Sequence, residues 1–180
     1  MSGAPAAGAD AAPVALLAEL RARGATLGVA ESLTGGLLTA ALTEPAGASS
    51  VVRGGLVVYA TDLKATVAGV PVPLLDAEGP VSPDVAAALA AGARDRLGAT
   101  YGLSLTGVAG PDAQRGVPVG TVYAGLAGPG GGDVRRLRLD GDRARIREAS
   151  VRAALQLLAD RLATTAVVLP GVGGVRESAR

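Results

Sequence analysis

Three short apolar runs, ATLGVA at 25–30, GLVVYA at 55–60 and TYGLSL at 100–105, each empty into small polar and glycine residues, with helical signals between them. Apolar runs of that length bounded by turn residues read as buried strands. Strands that alternate with helices are joined by crossovers, which lay them parallel in one sheet with helices on both faces. Two further runs, 119–127 and 133–139, flank Gly128-Pro129-Gly130-Gly131-Gly132 and read as a β-hairpin with a long turn. Val134, Leu137 and Leu139 do not alternate cleanly, which leaves the register of that hairpin open. The expected fold class is α/β: a three-layer α/β/α sandwich with a mixed, mostly parallel sheet.

The helices are marked by their ends. Pro13 opens one that carries Val14, Leu16, Leu17 and Leu20 and stops at Gly24. A second runs over about 36–43 and is closed by Pro45. Thr61 or Asp62 caps a short helix that holds Lys64, and a Pro-rich loop follows it. Ser82-Pro83-Asp84 supplies an N-cap, a first-turn proline and an acid for a helix that reaches Leu97 and ends at Gly98. Asp140-Gly141-Asp142 starts the last helix, from about Arg143 to Leu162, with Ile146, Val151, Leu155 and Leu158 as its apolar stripe. Residues 1–12 have little to bury and are expected to form a disordered leader, 13–165 a single domain, and 166–180 a flexible tail.

The core of such a fold must here be built from small side chains. The 180 residues include 27 Gly, three Tyr and no Phe or Trp, so Val, Leu and Ala fill the interior and helices can approach the sheet closely. A net charge of +1 without a basic block disfavours a nucleic-acid or membrane-surface partner. The densest basic cluster, Arg135, Arg136 and Arg138, reads as the solvated face of a strand. No apolar run reaches transmembrane length and the N-terminus lacks the features of a signal peptide, so the expected location is cytoplasmic. The chain has no Cys and no His. That excludes disulfides, thiolate metal sites, a thiol nucleophile and an imidazole base. Neither a metal nor a cofactor is expected.

With those side chains gone, AESLTGG at 30–36 becomes the most informative segment. Ser32 falls where the first strand gives way to a helix, and the backbone N–H groups of Thr34, Gly35 and Gly36 could hold an anion or a developing oxyanion there. In an open parallel sheet, ligands collect beyond the carboxyl ends of the strands. Ser32 follows the first strand, Tyr59 the second, and Thr106-Gly107 the third, while Lys64 lies one helical turn beyond Tyr59. Serine, lysine and tyrosine form an alternative to Ser-His-Asp: a neutral lysine takes the serine proton and the tyrosine hydroxyl orients or relays it. The lysine pKa must then fall from ~10.4 toward ~7–8. Each residue also has a structural reading: Ser32 as an N-cap, Lys64 as a solvated lysine, Tyr59 as a core or interface residue, Thr106 as a strand end, and Glu31 as an acceptor for a neighbouring loop. Neither glycine-rich loop carries the phosphate-loop pattern G-x-x-x-x-G-K-S/T, and no G-x-S-x-G nucleophile elbow is present.

Taken together, AESLTGG at 30–36, GGLVVYATDLKATVAGVP at 54–71, PVSPDVA at 80–86, SLTGVAGPD at 104–112, PVGTVYAGLA at 118–127 and GDRARIR at 141–147 resemble the CinA C-terminal domain family, which includes bacterial nicotinamide mononucleotide (NMN) amidohydrolases. The resemblance spans about 14–165. It implies a hydrolase that converts NMN to nicotinic acid mononucleotide and ammonia in pyridine nucleotide salvage, including NMN released by DNA ligase. It places the nucleophile on Ser32, the lysine on Lys64, the tyrosine on Tyr59 and a threonine on Thr106, with a functional arginine at either Arg143 or Arg147. It also implies a homo-oligomer, a dimer or larger. Asp62, where many relatives have Asn, and the loop Ala113-Gln114-Arg115-Gly116 depart from the pattern. Two other readings stay open: a non-catalytic nucleotide-phosphate sensor linked to competence or DNA damage, and an amidase for another pyridine amide.

Overall fold

The computed structural model describes residues 11–165; residues 1–10 of the leader expected over 1–12, and the tail expected over 166–180, lie outside the described residues. Strands β1 (Leu27–Glu31), β2 (Val52–Val57), β3 (Tyr101–Gly107), β4 (Thr121–Gly128) and β5 (Gly131–Arg138) form one sheet in the order β2-β1-β3-β4-β5. β1 runs parallel to both β2 and β3, whereas β3–β4 and β4–β5 are antiparallel. The α/β class and the mixed sheet with a parallel core are those read from the sequence. The three parallel strands bring their carboxyl ends to one rim.

Strand alternation sends successive side chains to opposite layers. On one side α1 (Ala11–Ala22), α2 (Leu37–Thr43) and α6 (Arg143–Thr164) close over Leu27, Val29, Leu103 and Leu105. On the other, α3 (Thr61–Thr66), α4 (Val72–Glu78) and α5 (Pro83–Arg96) bury Ala30, Val58, Leu75, Val85 and Leu89. The Gly- and Ala-rich composition has its use beneath α5. A Cβ on Gly28 would stand 2.9 Å from the Ala93 carbonyl oxygen, and one on Gly102 would run into that of Ala90. Ser104 Oγ donates to the Ala86 carbonyl at 2.6 Å. The backbone of α5 thus rests on a floor that has no side chains to hold it off. Among the described residues no helix is long and apolar enough to cross a membrane.

Several local expectations are corrected. α1 begins at Ala11, so residues 11 and 12 are helical rather than part of a leader. β2 spans 52–57, not 55–60. The Val58 N–H still donates to the Glu31 carbonyl at 2.8 Å, and the chain then leaves the sheet, so Tyr59 stands outside the strand and 60% exposed. The N-cap of α3 is Ala60, not Thr61 or Asp62, and that of α2 is Gly36, not Ser32. The Pro-rich stretch contains α4, with Pro71 as its N-cap and a proline in its first turn. A missing N–H is harmless there, because first-turn donors have no helical acceptor. β4 and β5 are joined by a tight Pro129-Gly130 turn, with Gly128 paired to Gly131. Gly130 takes the positive φ of 87° that the position after proline needs. Ser82 and Asp142 cap α5 and α6 as their sequence context predicts, accepting from Val85 and Arg145.

Candidate active site

β1 ends on Glu31, and the next residues turn before α2 begins. The Ser32 N–H donates to the Leu105 carbonyl at 3.0 Å, and the Gly35 N–H closes the turn on the Ser32 carbonyl at 3.1 Å. The start of α2 is occupied from within the fold. Glu31 Oε2 accepts the N–H groups of Gly36 at 3.1 Å and Leu38 at 3.0 Å, and Oε1 accepts Thr39 N–H at 2.8 Å and Thr39 Oγ1 at 2.6 Å. The carboxylate is wholly buried. Its charge is met by those donors and by the positive end of the helix dipole. Of the donors that the sequence offers to a bound anion, the N–H groups of Gly35 and Gly36 are therefore already engaged, and Glu31 is the structural acceptor of this corner.

Lys64 comes from α3. Its Nζ lies 2.9 Å from Ser32 Oγ and 2.9 Å from the Val58 carbonyl oxygen, and donates to both. The side chain is only 1% exposed. Burial penalises the ammonium form and lowers its pKa from 10.5 to about 8. When Nζ gives up one proton, an N–H can stay on the Val58 carbonyl while the lone pair faces the Ser32 hydroxyl. The Val58 carbonyl thus aims the amine. Sequence reasoning missed this group, since every residue has a carbonyl and nothing in the side chain marks this one.

A cleft of about 330 Å³ opens over this pair and is lined by Ser32, Lys64, Tyr59, Gly107 and Arg143, together with Asp112, which the sequence did not single out. Asp112 lies in the glycine-rich loop after β3, and that loop was the available signal. Arg143 Nη2 donates to the Tyr59 hydroxyl at 3.0 Å, and its Nη1 donates to the Gly110 carbonyl at 2.8 Å. Tyr59 is thereby joined to Arg143, while the hydrogen-bond partners of Lys64 are Ser32 and Val58.

Thr34, Gly35, Gly36, Thr106 and Arg147 stand outside this lining. Thr106 Oγ1 donates to the Pro80 carbonyl at 2.7 Å, in the interior. Arg147 Nε donates to the Leu33 carbonyl at 3.0 Å and its Nη2 to the Thr34 carbonyl at 2.7 Å. Arg143 and Arg147 are one turn apart on α6. The first reaches the cleft, and the second clamps the loop that carries Ser32. Thr34 is fully buried, and its Oγ1 has no partner among the described residues. Also among the described residues, no group of three His, Cys, Asp or Glu could hold a metal ion.

Fold and site together define an α/β/α domain with a buried serine–lysine pair at the carboxyl ends of parallel strands. The profile of the CinA C-terminal domain family matches residues 10–162, and the chain belongs to that family. It is 59% identical over 141 residues to a CinA-like protein of Frankia casuarinae, a match covering 78% of this chain and 33% of that protein. The chain thus spans about a third of the length of the curated relatives it matches. Among solved structures, the competence/damage inducible protein CihA from Agrobacterium tumefaciens superposes with a TM-score of 0.83 at 35% identity, over 91% of this chain and 100% of that one. The competence damage-inducible protein A from Klebsiella pneumoniae gives a TM-score of 0.84 at 30% identity, over 87% and 98%.

Proposed function

We propose that this cleft hydrolyses the carboxamide of NMN to nicotinic acid mononucleotide and ammonia. The observation that carries the reading is the 2.9 Å separation of Ser32 Oγ from a buried lysine amine whose pKa is lowered to about 8. Neutral Lys64 takes the Ser32 proton as Oγ bonds the amide carbon and the carbonyl electron pair moves onto oxygen. When the pair returns, the C–N bond breaks and the nitrogen takes the proton from Lys64, leaving as ammonia. Water then gives a proton to Lys64 as it adds to the acyl carbon, and Oγ departs and recovers that proton. The pyridinium charge makes the carbon more electrophilic. Arg143 faces the cleft with a fork of donors suited to the 5′-phosphate, and Tyr59 belongs to this binding end rather than to the proton path. Thr106 and Arg147 hold the scaffold. Ammonia release should be assayed on NMN, nicotinamide and NAD with wild-type protein and Ser32→Ala. Release from NMN alone, lost in Ser32→Ala, is expected; wild-type rates in Ser32→Ala would remove the serine from the mechanism.

A further inference from the structure

We propose that the backbone N–H of Leu33 is the oxyanion donor of this site, a proposal that rests on Ser32 acting as the nucleophile. A trans peptide plane points its C=O and N–H in opposite directions. The Ser32 carbonyl faces into the turn, where it accepts from Gly35 N–H at 3.1 Å. The N–H of Leu33, at the other end of the same plane, therefore leaves the turn on its outer side. Leu33 lines the cleft beside Ser32, and among the described residues its N–H donates to no acceptor in the protein.

The neighbouring amides are spent or inaccessible. Gly35 N–H is on the Ser32 carbonyl, Gly36 N–H on Glu31, and Leu37 N–H on the Thr34 carbonyl. Thr34 is fully buried and away from the cleft. An amide beside a nucleophile that has no partner at rest is free to accept charge when it develops. The plane is also held rigid, with Ser32 N–H tied to Leu105 and the carbonyls of Leu33 and Thr34 clamped by Arg147. Donors fixed in advance stabilise a transition state without a reorganisation cost. When Oγ bonds the carbonyl carbon and the π pair moves to oxygen, that oxygen carries the charge and Leu33 N–H donates to it.

Two measurements test this. Replacing Leu33 by the corresponding α-hydroxy acid exchanges the N–H for an ester oxygen and keeps the side chain and carbonyl. The kcat for ammonia release from NMN is expected to fall at least ~10²-fold with KM unchanged. The second uses unmodified protein and a fluorophosphonate: Oγ bonds phosphorus, fluoride leaves, the serine proton goes to Lys64, and the phosphonyl oxygen takes the oxyanion position. The Leu33 amide proton resonance should then move downfield. An ester variant with full rate, or a phosphonylated protein with an unmoved Leu33 amide, overturns the proposal. Phosphonylation of Ser32 with the amide shift but no action on NMN would sink only the substrate reading; no labelling of Ser32 would sink both.

Discussion

Glu31 and Thr39 are joined twice: one carboxylate oxygen accepts both the backbone N–H and the side-chain hydroxyl of Thr39, at 2.8 and 2.6 Å. The other oxygen accepts Gly36 and Leu38, so one buried carboxylate ties the end of β1 to the start of α2. Ser32 lies between these two ends and inherits their rigidity.

Glu31→Gln presents an amide NH₂ to groups that are themselves donors. The substitution is expected to destabilise the fold by about 3 kcal/mol, the scale of a lost charged hydrogen bond with a buried group left unpaired. Urea unfolding measures it, and an unchanged midpoint would contradict the structural role assigned to Glu31.

Lys64 sets the pH dependence. The proposed mechanism requires its neutral form, so the rate should rise with pH through an apparent pKa of about 8. Stability should rise too. The folded lysine loses its proton near 8, whereas the unfolded one keeps it until 10.5, so the unfolded state binds more protons between those values. The cost of burying the ammonium is full below pH 8 and is relieved by about 3 kcal/mol at most as pH climbs to the unfolded value. Urea unfolding of wild type and Lys64→Met at pH 7.5 and 10 checks the sign, with no such gain in the variant. Lys64→Arg should be nearly inactive, because guanidinium is not a neutral base.

The two arginines of α6 should separate kinetically. Arg143→Ala is expected to raise KM for NMN about 10-fold or more, the scale of a lost charged contact to phosphate. It should leave KM for the riboside, which lacks the phosphate, unchanged. Arg147→Ala should lower kcat on both substrates, since it frees the Leu33 and Thr34 carbonyls. Equal effects of Arg143→Ala on nucleotide and riboside would disprove its phosphate role.

Tyr59→Phe removes a hydroxyl bonded to Arg143. KM should increase several-fold, and the rising limb governed by Lys64 should keep its position. A displaced limb would restore the tyrosine to the proton path.

Gly102→Ala drives a methyl into the Ala90 carbonyl of α5. A loss of about 2–3 kcal/mol is expected, in the range for overpacking a tight interior. Thermal unfolding gives the answer, and a neutral result would contradict the close seating of α5 on β3.

Much of this architecture was legible because it is local. Apolar runs bounded by glycine and proline marked β1 and β3, and Ser82 and Asp142 marked two helix starts. Such signals depend on near neighbours alone. The exact end of β2 was not legible: Tyr59 continues the apolar run, yet the strand stops at Val57, Tyr59 is exposed, and the Val58 carbonyl accepts from Lys64 instead of a strand neighbour.

The sequence by itself determined the alternation of strands and helices, the small-residue core, the absence of thiol and imidazole chemistry, and the placing of Ser32, Tyr59 and Thr106 at or after the ends of apolar runs. Only the tertiary structure decided that Ser32 meets Lys64 across 32 residues, that Glu31 consumes the donors of α2, and that Arg143 rather than Arg147 reaches the cleft. Residue type states which groups can ionise or hydrogen-bond. Which of them lose water, and which donors remain unspent, is set by contacts between segments distant along the chain, and packing alone supplies those contacts.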